Sequence, residues 1–429
     1  MMRHSFDRRS FLQTSLAGVA SLSSLHGVAI LLGAEGQGVA DPVSDEDAPQ
    51  FRKGDPDTLF LTWLRDPTTT IAAVWVGQEM PDDEVEVRCS VLDGDSWSKV
   101  KPIRRPYPAG GLSVYQAEVT GLAPGSQYKL RIGKGKVDHL FQTMPAKATN
   151  SFQFVSGGDS GARGGSRGSN VLAAKQDPMF VLMGGDIAYD NGVRTADSLR
   201  FLKHYREDLV DSSKRLIPIV PVIGNHEVVR VGDRDTAPFF HALYGGLYAE
   251  RPYNTLDFGD YLSLVLLDTG HMAPISGEQT SWLDGQLAAR RDMPHLIAAQ
   301  HVPSYPSYRP YDKTGEDSRK HWVPLFEKHN VDLVLEHHDH TFKRTHPLKD
   351  GLRDKRGIIY LGDGSWGKLR ALKDPEKRPY LAAAASNYHV TLHRLEGGQR
   401  FHMALTEAGR VVDICTTQKR PLQAMGKGA

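Results

Sequence analysis

Three histidines and one aspartate occupy the four consecutive positions 337 to 340. They follow the apolar run VDLVLE, which is typical of a buried strand. Imidazole and carboxylate groups bind first-row metal ions and also transfer protons. If the chain stays extended beyond Glu336, then His338 and His340 lie on one face, and His337 and Asp339 lie on the other. We therefore predict that His338 and His340 bind metal and that His337 does not.

Four other apolar runs also end in groups that could bind a metal. These groups are Asp159 in GGDSG, Asp186 and Tyr189 in GGDIAYDN, Asn225 and His226 in GNHE, and His301 in AAQH. In open α/β sheets, ligands bind beyond the carboxyl ends of the strands, so these side chains are expected to meet. Oxygen and imidazole donors without cysteine suit iron, manganese or zinc. Seven or more donors are too many for one tetrahedral ion, so we predict two ions that share a carboxylate.

The strands and helices that carry these groups predict an α/β layered domain over residues 148–415. Apolar runs such as MFVLMGG and YLSLVLLD alternate there with segments of helical spacing such as DSLRFLKHYREDLV. Residues 56–147 contain short alternating runs between turn-forming residues, which predicts a small all-β sandwich. Its end, VTGLAPGSQYKLRIG followed by FQTMPA, resembles a fibronectin type III domain. This sandwich could be a scaffold or a binding module. Residues 41–55 are predicted to be a linker, and residues 416–429 a flexible tail.

The N-terminus resembles a twin-arginine export signal. Arg8 and Arg9 precede Phe11-Leu12 and a modest apolar stretch, which is interrupted by serine and histidine and is shorter than the ~20 residues of a membrane span. We predict that residues 1–40 are this signal, cleaved after Ala40. The twin-arginine machinery would then export a folded protein to the periplasm or the medium, without stable membrane insertion of the mature chain.

Charge and cysteine content exclude several classes of function. The chain has 52 Lys+Arg and 51 Asp+Glu without a long block of one sign, so no nucleic-acid or anionic-membrane surface is predicted. Cys89 and Cys415 are the only cysteines and lie far apart in sequence. Neither a disulfide framework nor a thiolate metal site is therefore expected.

Taken in order, the blocks GDSG, GDIAY, GNHE, AAQH and HHDH are similar to the signature of the calcineurin-like metallophosphoesterases. The tyrosine three residues after the second aspartate points to their purple acid phosphatase branch, and the resemblance covers roughly residues 56–415. It implies two ligand sets with Asp186 as the bridge. The first ion would be bound by Asp159, Asp186, Tyr189 and His340, and the second by Asp186, Asn225, His301 and His338. A phenol binds well only beside a strongly Lewis-acidic cation, which favours Fe³⁺ in the first position and Fe²⁺, Zn²⁺ or Mn²⁺ in the second.

The resemblance also implies a reaction. A metal-bound hydroxide would attack a small phosphate monoester, as in acid phosphatases, while His226 stabilises the phosphoryl group or protonates the leaving oxygen. A phosphodiesterase or a nucleotidase on the same metal centre is the alternative. A non-catalytic, metal-containing binding protein is a further alternative from another class.

Several positions depart from the family pattern or lie outside it. His337 stands where the family has glycine, and the family's further substrate-contacting histidine beyond His301 is absent, so Arg309 is predicted to contact the phosphate instead. Asp268 and Asp363 also follow apolar strands, and we interpret both as turn formers. Two more acidic residues beside the blocks, Asp190 and Glu227, are predicted to support ligands rather than to bind metal.

Overall fold

The computed structural model describes residues 29–31, 48–148, 151–232 and 234–419. Most of the predicted signal and linker therefore lies outside the described residues. The exception in the signal is strand β1, Ala29–Leu31, whose backbone runs parallel to residues 383–385 at the edge of a sheet. Within the described ranges, no helix is long and apolar enough to cross a membrane.

Residues 60–142 form two four-stranded antiparallel sheets. One sheet has the order β2-β3-β7-β6 and the other has the order β5-β4-β8-β9. The strands are β2 Phe60–Thr62, β3 Ile71–Gly77, β4 Val87–Val91, β5 Ser98–Val100, β6 Ile103–Pro106, β7 Ser113–Val119, β8 Gln127–Ile132 and β9 His139–Gln142, and a one-turn helix, α1 Asp82–Val85, precedes β4. The structure thus has the predicted β sheets in this part of the chain, and the likeness to a fibronectin type III domain stays a prediction.

The rest of the chain has a six-stranded sheet and an eight-stranded sheet. The first has the order β12-β11-β10-β22-β23-β24, and the second has the order β1-β21-β17-β20-β16-β15-β14-β13. The strands are β10 Phe152–Gly157, β11 Val181–Gly184, β12 Ile219–Val222, β13 Asn254–Phe258, β14 Leu262–Leu267, β15 His295–Gln300, β16 Leu333–Glu336, β17 Phe342–Thr345, β20 Ile359–Asp363, β21 Leu381–Ala385, β22 His389–Glu396, β23 Gln399–Thr406 and β24 Val411–Gln418, with a small hairpin of β18 Leu348–Lys349 and β19 Leu352–Arg353. Strand β24 continues beyond the predicted domain end at residue 415, because it pairs along its length with β23.

Helices connect and cover these sheets. They are α2 Ser166–Ala174, α3 Thr195–Asp208, α4 Pro238–Tyr244, α5 Glu278–Arg290, α6 Glu316–His321 and α7 Val323–Lys328, with 3₁₀ turns at Arg234–Thr236 and Pro375–Lys377. Helix α3 buries Leu199, Leu202 and Tyr205, which are three residues apart and therefore share one face. The predicted mixture of apolar strands and amphipathic helices is confirmed as a mixed α/β fold.

Strand direction brings the ends of the relevant strands to common edges. Strands β10, β11 and β12 are parallel neighbours, and so are β14, β15, β16 and β20. Residues from both large sheets belong to one buried apolar cluster, so the sheets pack face to face. The loops after β10, β11, β12, β15 and β16 can therefore meet at one place.

The β sandwich packs firmly on the α/β part through strand β2. The indole of Trp63 lies edge-on to the rings of Phe180 and Phe258, with centroid distances of 5.9 and 5.7 Å. The hydroxyl of Thr62 donates a hydrogen bond of 2.8 Å to the carbonyl of Ile219, at the start of β12. Burying aromatic side chains of this size stabilises a contact by roughly 2 kcal/mol each. These contacts are what a scaffold role requires.

Buried neutral histidines should make the fold sensitive to acid. Burial lowers the pKa of His295 to about 3 and that of His393 to about 4, from 6.5. At these two histidines the unfolded chain binds more protons than the folded chain below pH 6.5, so their contribution to stability is lost as the pH falls from there toward 4. We expect the melting temperature, followed by circular dichroism, to fall by several degrees over this interval. Substitution of His393 by asparagine should flatten the dependence, and a melting temperature that rises on acidification would contradict the argument.

Candidate metal centre

The seven predicted ligands come together at the ends of five strands. Asp159 follows β10, and Asp186 and Tyr189 follow β11, while Asn225 follows β12. The remaining three ligands come from the other sheet, with His301 after β15, and His338 and His340 after β16. The site thus lies between the two large sheets, at the edge where their carboxyl ends meet. This is where α/β folds place their ligands.

Three of these side chains form one compact group. The hydroxyl of Tyr189 lies 3.2 Å from Oδ1 of Asp159 and 3.0 Å from Nε2 of His340. The same imidazole nitrogen is 3.1 Å from Oδ1 of Asp159. The three donor atoms therefore form a triangle with sides of 3.0 to 3.2 Å. This group corresponds to the predicted first-ion set without its bridge.

A second group surrounds the imidazole of His301. Its Nε2 atom lies 3.3 Å from Oδ1 of Asp186, 3.1 Å from Oδ1 of Asn225 and 3.0 Å from Nδ1 of His338. The other nitrogen, Nδ1, is 2.8 Å from the carbonyl of Gly184 and must donate to it. This hydrogen bond fixes the tautomer and leaves the Nε2 lone pair directed into the group. The arrangement corresponds to the predicted second-ion set.

The donor atoms fit a metal centre. Ligand atoms of Asp159, Asp186, His301 and His338 all lie within 4.8 Å of one another. Oδ2 of Asp186 is buried and has no hydrogen-bond partner among the described residues, whereas its Oδ1 accepts a hydrogen bond of 2.7 Å from the amide of His226. A buried carboxylate oxygen without a partner is costly, and a cation would compensate for it. Asp186 also lies next to both groups, as a bridging ligand must.

The electrostatics agree with this fit. Burial alone would lower the pKa of His301, but the nearby carboxylate of Asp186 outweighs burial and raises it to about 9, so Nε2 carries a proton that a bound cation would replace. Burial followed by the charge of His301 lowers the pKa of His338 well below its usual value. Burial and the charges of Asp159 and Asp186 raise the pKa of Tyr189. Without a cation, the concentrated negative charge therefore keeps the phenol of Tyr189 protonated. The same negative charge favours the binding of a cation.

The backbone is strained at five of the seven predicted ligands. These residues have left-handed conformations, with φ of 58° at Asp159, 52° at Asp186, 57° at Tyr189, 72° at His338 and 58° at His340. Residues other than glycine adopt this region rarely, at a cost on the order of 1 kcal/mol or more each, and such strain concentrates at functional sites. The turn before His226 is equally restricted, because a Cβ atom on Gly224 would lie 2.4 Å from Oδ1 of Asp186.

The prediction that the chain stays extended past Glu336 is wrong. Strand β16 ends there, and the left-handed turns at His338 and His340 direct both side chains into the site. His337 does lie outside the site, but for another reason, since it is buried and its Nε2 lies 2.7 Å from Oδ1 of Asp363. The carboxylate of Asp339 accepts hydrogen bonds of 2.6 and 2.9 Å from the amides of residues 307 and 308.

The interpretation of Asp363 as a turn former is also wrong. This residue ends strand β20 inside the core, where it pairs with His337 and accepts a hydrogen bond from the hydroxyl of Ser156. The ring of His337 packs against Gly184. A Cβ atom at position 184 would lie 1.9 Å from this ring, so only glycine leaves room for it. Asp268 is a turn former as predicted, because its carboxylate accepts hydrogen bonds of 2.8, 2.8 and 2.7 Å from the amides of residues 271, 272 and 273.

Glu227 organises the backbone of the site. Its carboxylate accepts hydrogen bonds of 2.7 Å from the amide of Gly224, 2.8 Å from that of Asp186 and 2.7 Å from that of Ile187. Burial raises the pKa of this carboxyl to about 8. Asp190 likewise accepts a hydrogen bond of 2.8 Å from the amide of Gly192, and burial raises its pKa to about 7. Both residues have the predicted supporting geometry.

His226 is directed toward the open side of the site. Its ring stacks on Tyr189 with a centroid distance of 4.2 Å, and its Nε2 is 3.9 Å from Oδ2 of Asp186. Nδ1 is within hydrogen-bond distance of Oδ1 of Asn191, which orients the ring. The side chain is 37 % exposed, so a substrate can reach it. Burial of the remainder lowers its pKa.

Arg309 lies near the site but already has partners. Its Nη1 donates a hydrogen bond of 2.8 Å to Oδ1 of Asp339 and another to the carbonyl of His338. Arg309, His338, Val302 and Lys313 line a cavity of about 310 Å³. The guanidinium is thus fixed beside the second-ion group, and a phosphate contact stays a prediction.

Sequence reasoning did not single out three residues that contact the site, although the loop GKLRALKDPEKRPY is expected to influence the choice between monoester and diester substrates. Asn191 holds His226, Lys368 places its ammonium 4.4 Å from the centroid of the Tyr189 ring, and Nε of Arg370 lies 3.2 Å from Nδ1 of His340. Asn191 is two residues from Tyr189 in sequence, whereas only the folded chain brings Lys368 and Arg370 to the ligands. The basic loop GKLR directly after strand β20 was the available signal, because it too follows a strand end.

Comparison with known proteins shows a likeness to phosphoesterases. Residues 169–342 match the family model described as calcineurin-like phosphoesterase. Purple acid phosphatase 23 of Arabidopsis thaliana is 22% identical over 366 residues, 73% of this chain and 77% of the relative. Purple acid phosphatase 15 of the same plant is 24% identical over 315 residues, 64% of this chain but only 59% of the relative. The chain therefore spans less than two thirds of the length of the latter.

Two solved structures share the fold. Purple acid phosphatase PPD1 from yellow lupin seeds aligns with a TM-score of 0.69 and 16% identity, covering 89% of this chain and 78% of that chain. A structure of PhoD aligns with a TM-score of 0.59 and 14% identity, covering 88% and 95%. The chain is a metal-dependent phosphoesterase with a mixed α/β fold. Residues 169–342 are similar to the calcineurin-like phosphoesterases, and the chain is similar to several purple acid phosphatases.

Proposed function

We propose that this chain is an exported, dinuclear-metal phosphohydrolase that acts on small phosphate monoesters, in the manner of an acid phosphatase. The observation that carries the proposal is the division of the ligands into two compact groups on either side of Asp186. One group contains the phenol of Tyr189 and the carboxylate of Asp159, and the other contains imidazoles and an amide besides Asp186. Export rests on the sequence of residues 1–40 alone.

The two donor groups differ in charge and suit different ions. Asp159, Asp186, Tyr189 and His340 would hold Fe³⁺, because a phenolate and two carboxylates compensate a trivalent charge. Asp186, Asn225, His301 and His338 would hold Fe²⁺, Zn²⁺ or Mn²⁺. When bound, the ions would lower the pKa of water to supply the nucleophile and would neutralise charge on the phosphoryl group.

The protein's own residues have distinct parts in this reaction. His226 would hydrogen-bond the phosphoryl oxygens or give a proton to the leaving oxygen, since it is exposed and oriented by Asn191. The hydrogen bond from His301 to the carbonyl of Gly184 keeps its other nitrogen free as a ligand. Glu227 holds the two turns that carry Asp186 and His226 at a fixed separation.

A visible spectrum tests the composition of the first-ion group. An iron-loaded sample should show a charge-transfer band from a tyrosinate to Fe³⁺, and substitution of Tyr189 by phenylalanine should abolish it. The substitution of Tyr253, which lies outside the site, by phenylalanine is the matched control and should retain the band. An iron-loaded wild-type protein without the band would contradict the assignment of Tyr189.

The reaction class is tested with two chromogenic esters. We expect the metal-loaded protein to hydrolyse 4-nitrophenyl phosphate at a higher kcat/KM than bis(4-nitrophenyl) phosphate. The reverse preference would favour the phosphodiesterase alternative. Absence of turnover with any phosphate ester, in a protein with its full metal content, would favour a binding protein.

Substitution of Arg309 by alanine tests its predicted phosphate contact. The KM for 4-nitrophenyl phosphate should rise about tenfold, which is the loss of one charge-assisted hydrogen bond, while kcat changes less. Arg251, an exposed-loop arginine paired with Glu250, provides the control substitution. An unchanged KM in the Arg309 variant would show that its pairing with Asp339 is purely structural.

A further inference from the structure

The loop after strand β20 places two cations against the first-ion group. The ammonium of Lys368 lies 4.4 Å from the centroid of the Tyr189 ring, and the guanidinium of Arg370 approaches the outer nitrogen of His340 at 3.2 Å. The loop is held in place, because the amide of Arg370 donates a hydrogen bond of 2.9 Å to the carbonyl of His340. Its carbonyl also accepts a hydrogen bond of 2.6 Å from Ser386. Both cations are therefore fixed near the site before any ligand binds.

Neither cation has an acidic ion-pair partner in the part of the chain that the structure describes. The nearby carboxylate of Asp197 is already bound by Nε of Arg163 at 3.0 Å and by Nη1 of Arg200 at 2.9 Å. Both cations are partly buried. Partly buried charges are normally paired, so an anion from outside the chain is the expected partner.

The position of Lys368 separates it from the reacting phosphoryl group. The ring of His226 stacks on one face of Tyr189 at 4.2 Å, so the ammonium, at 4.4 Å from the same ring centre, must lie over the opposite face. His226 and the metal ligands surround the place where the phosphoryl group would be bound. Lys368 lies against the Tyr189 ring, and Arg370 lies beside the outer nitrogen of His340. Lys368 and Arg370 are therefore placed to bind a second anionic group of the substrate, close to the reacting phosphoryl group.

We propose that Lys368 and Arg370 bind a second phosphate group on the substrate, so that preferred substrates are phosphate monoesters with another phosphate on the leaving part. This inference rests on the proposed function, since it names a substrate class for the same site. Charge-assisted hydrogen bonds from lysine and arginine are among the strongest contacts to phosphate. These contacts would raise kcat/KM for substrates with a second phosphate, and they would not add ligands to the metal centre.

Two matched sugar phosphates test this selectivity. Phosphate release from fructose 1,6-bisphosphate and from fructose 6-phosphate is measured for the wild type, for Lys368→Met and for Arg370→Met. The wild type should favour the bisphosphate, and in each variant the ratio of kcat/KM for the bisphosphate to kcat/KM for the monophosphate should fall about tenfold. Lys377→Met removes an exposed lysine that pairs with Asp374 in the same segment, and it should change neither value.

Binding of methylenebisphosphonate by calorimetry, together with metal content, separates this inference from the proposed function. The Kd should rise about tenfold in Lys368→Met at unchanged metal content, even if no ester is hydrolysed. Equal Kd values in Lys368→Met and Lys377→Met would overturn the inference. A fall in metal content with unchanged selectivity would also overturn it, because Lys368 would then only support Tyr189.

Discussion

Substitution of Asp186 by asparagine is expected to lower kcat for 4-nitrophenyl phosphate by a factor on the order of 10³ or more, because both proposed ions would lose their shared ligand. The asparagine amide can still accept the hydrogen bond from the amide of His226 at Oδ1, so the turn is retained. Its nitrogen, however, places two hydrogens where the carboxylate oxygen now has no partner. Metal content should fall together with activity.

The control for this variant is Asp284→Asn. Asp284 is 41% exposed and pairs with Lys328 and His329 on the surface. Exposed pairs of this kind contribute roughly 0 to 1 kcal/mol, so this substitution should leave metal content and kcat unchanged. If Asp186→Asn retained both full metal content and wild-type kcat, Asp186 would not be the bridge.

Substitution of His226 by alanine should lower kcat by about 10²-fold to 10⁴-fold, with little change in metal content. The reason is geometric. His226 stacks on Tyr189 and faces solvent, and its Nε2 lies 3.9 Å from the carboxylate of Asp186, outside the two compact donor groups. Substitution of Asn191 by alanine should have a smaller effect in the same direction, because it removes only the group that orients the ring. The measurements are steady-state kinetics and metal analysis of the same samples.

Comparison of kcat and metal content in the His226 and Asn191 variants distinguishes the possible roles of His226. If the loss of kcat in His226→Ala followed the loss of metal, His226 would be acting as a ligand or as a support for one. If Asn191→Ala were as impaired as His226→Ala, then the orientation of the imidazole, rather than its presence, would control the reaction.

The sequence was sufficient to predict which residues meet, because parallel strands bring their carboxyl ends to a common edge. The seven predicted ligands, from Asp159 in the first block to His340 in the last, were identified without any knowledge of distances. The sequence was not sufficient to predict how His338 and His340 reach the site, since the left-handed turns at both residues are imposed by tertiary packing. The extended strand assumed for them gave the expected orientation by an incorrect route.

Other features depend on contacts that are distant in sequence. Asp363 was misinterpreted because its partner His337 precedes it by a whole strand and hairpin, and only the packed core brings them within 2.7 Å. Lys368 and Arg370 belong to no recognisable motif, yet they lie beside Tyr189 and His340. Residues of this kind are defined by burial and proximity, which sequence periodicity does not encode.

A metal titration tests the central claim most directly. Protein stripped of metal by a chelator is loaded with increasing equivalents of iron and zinc, and the hydrolysis of 4-nitrophenyl phosphate is followed at each step. Two donor groups that share Asp186 predict that activity rises from near zero and reaches its plateau at about two ions per chain. A plateau at one ion, or full activity in the stripped protein, would contradict a dinuclear phosphohydrolase.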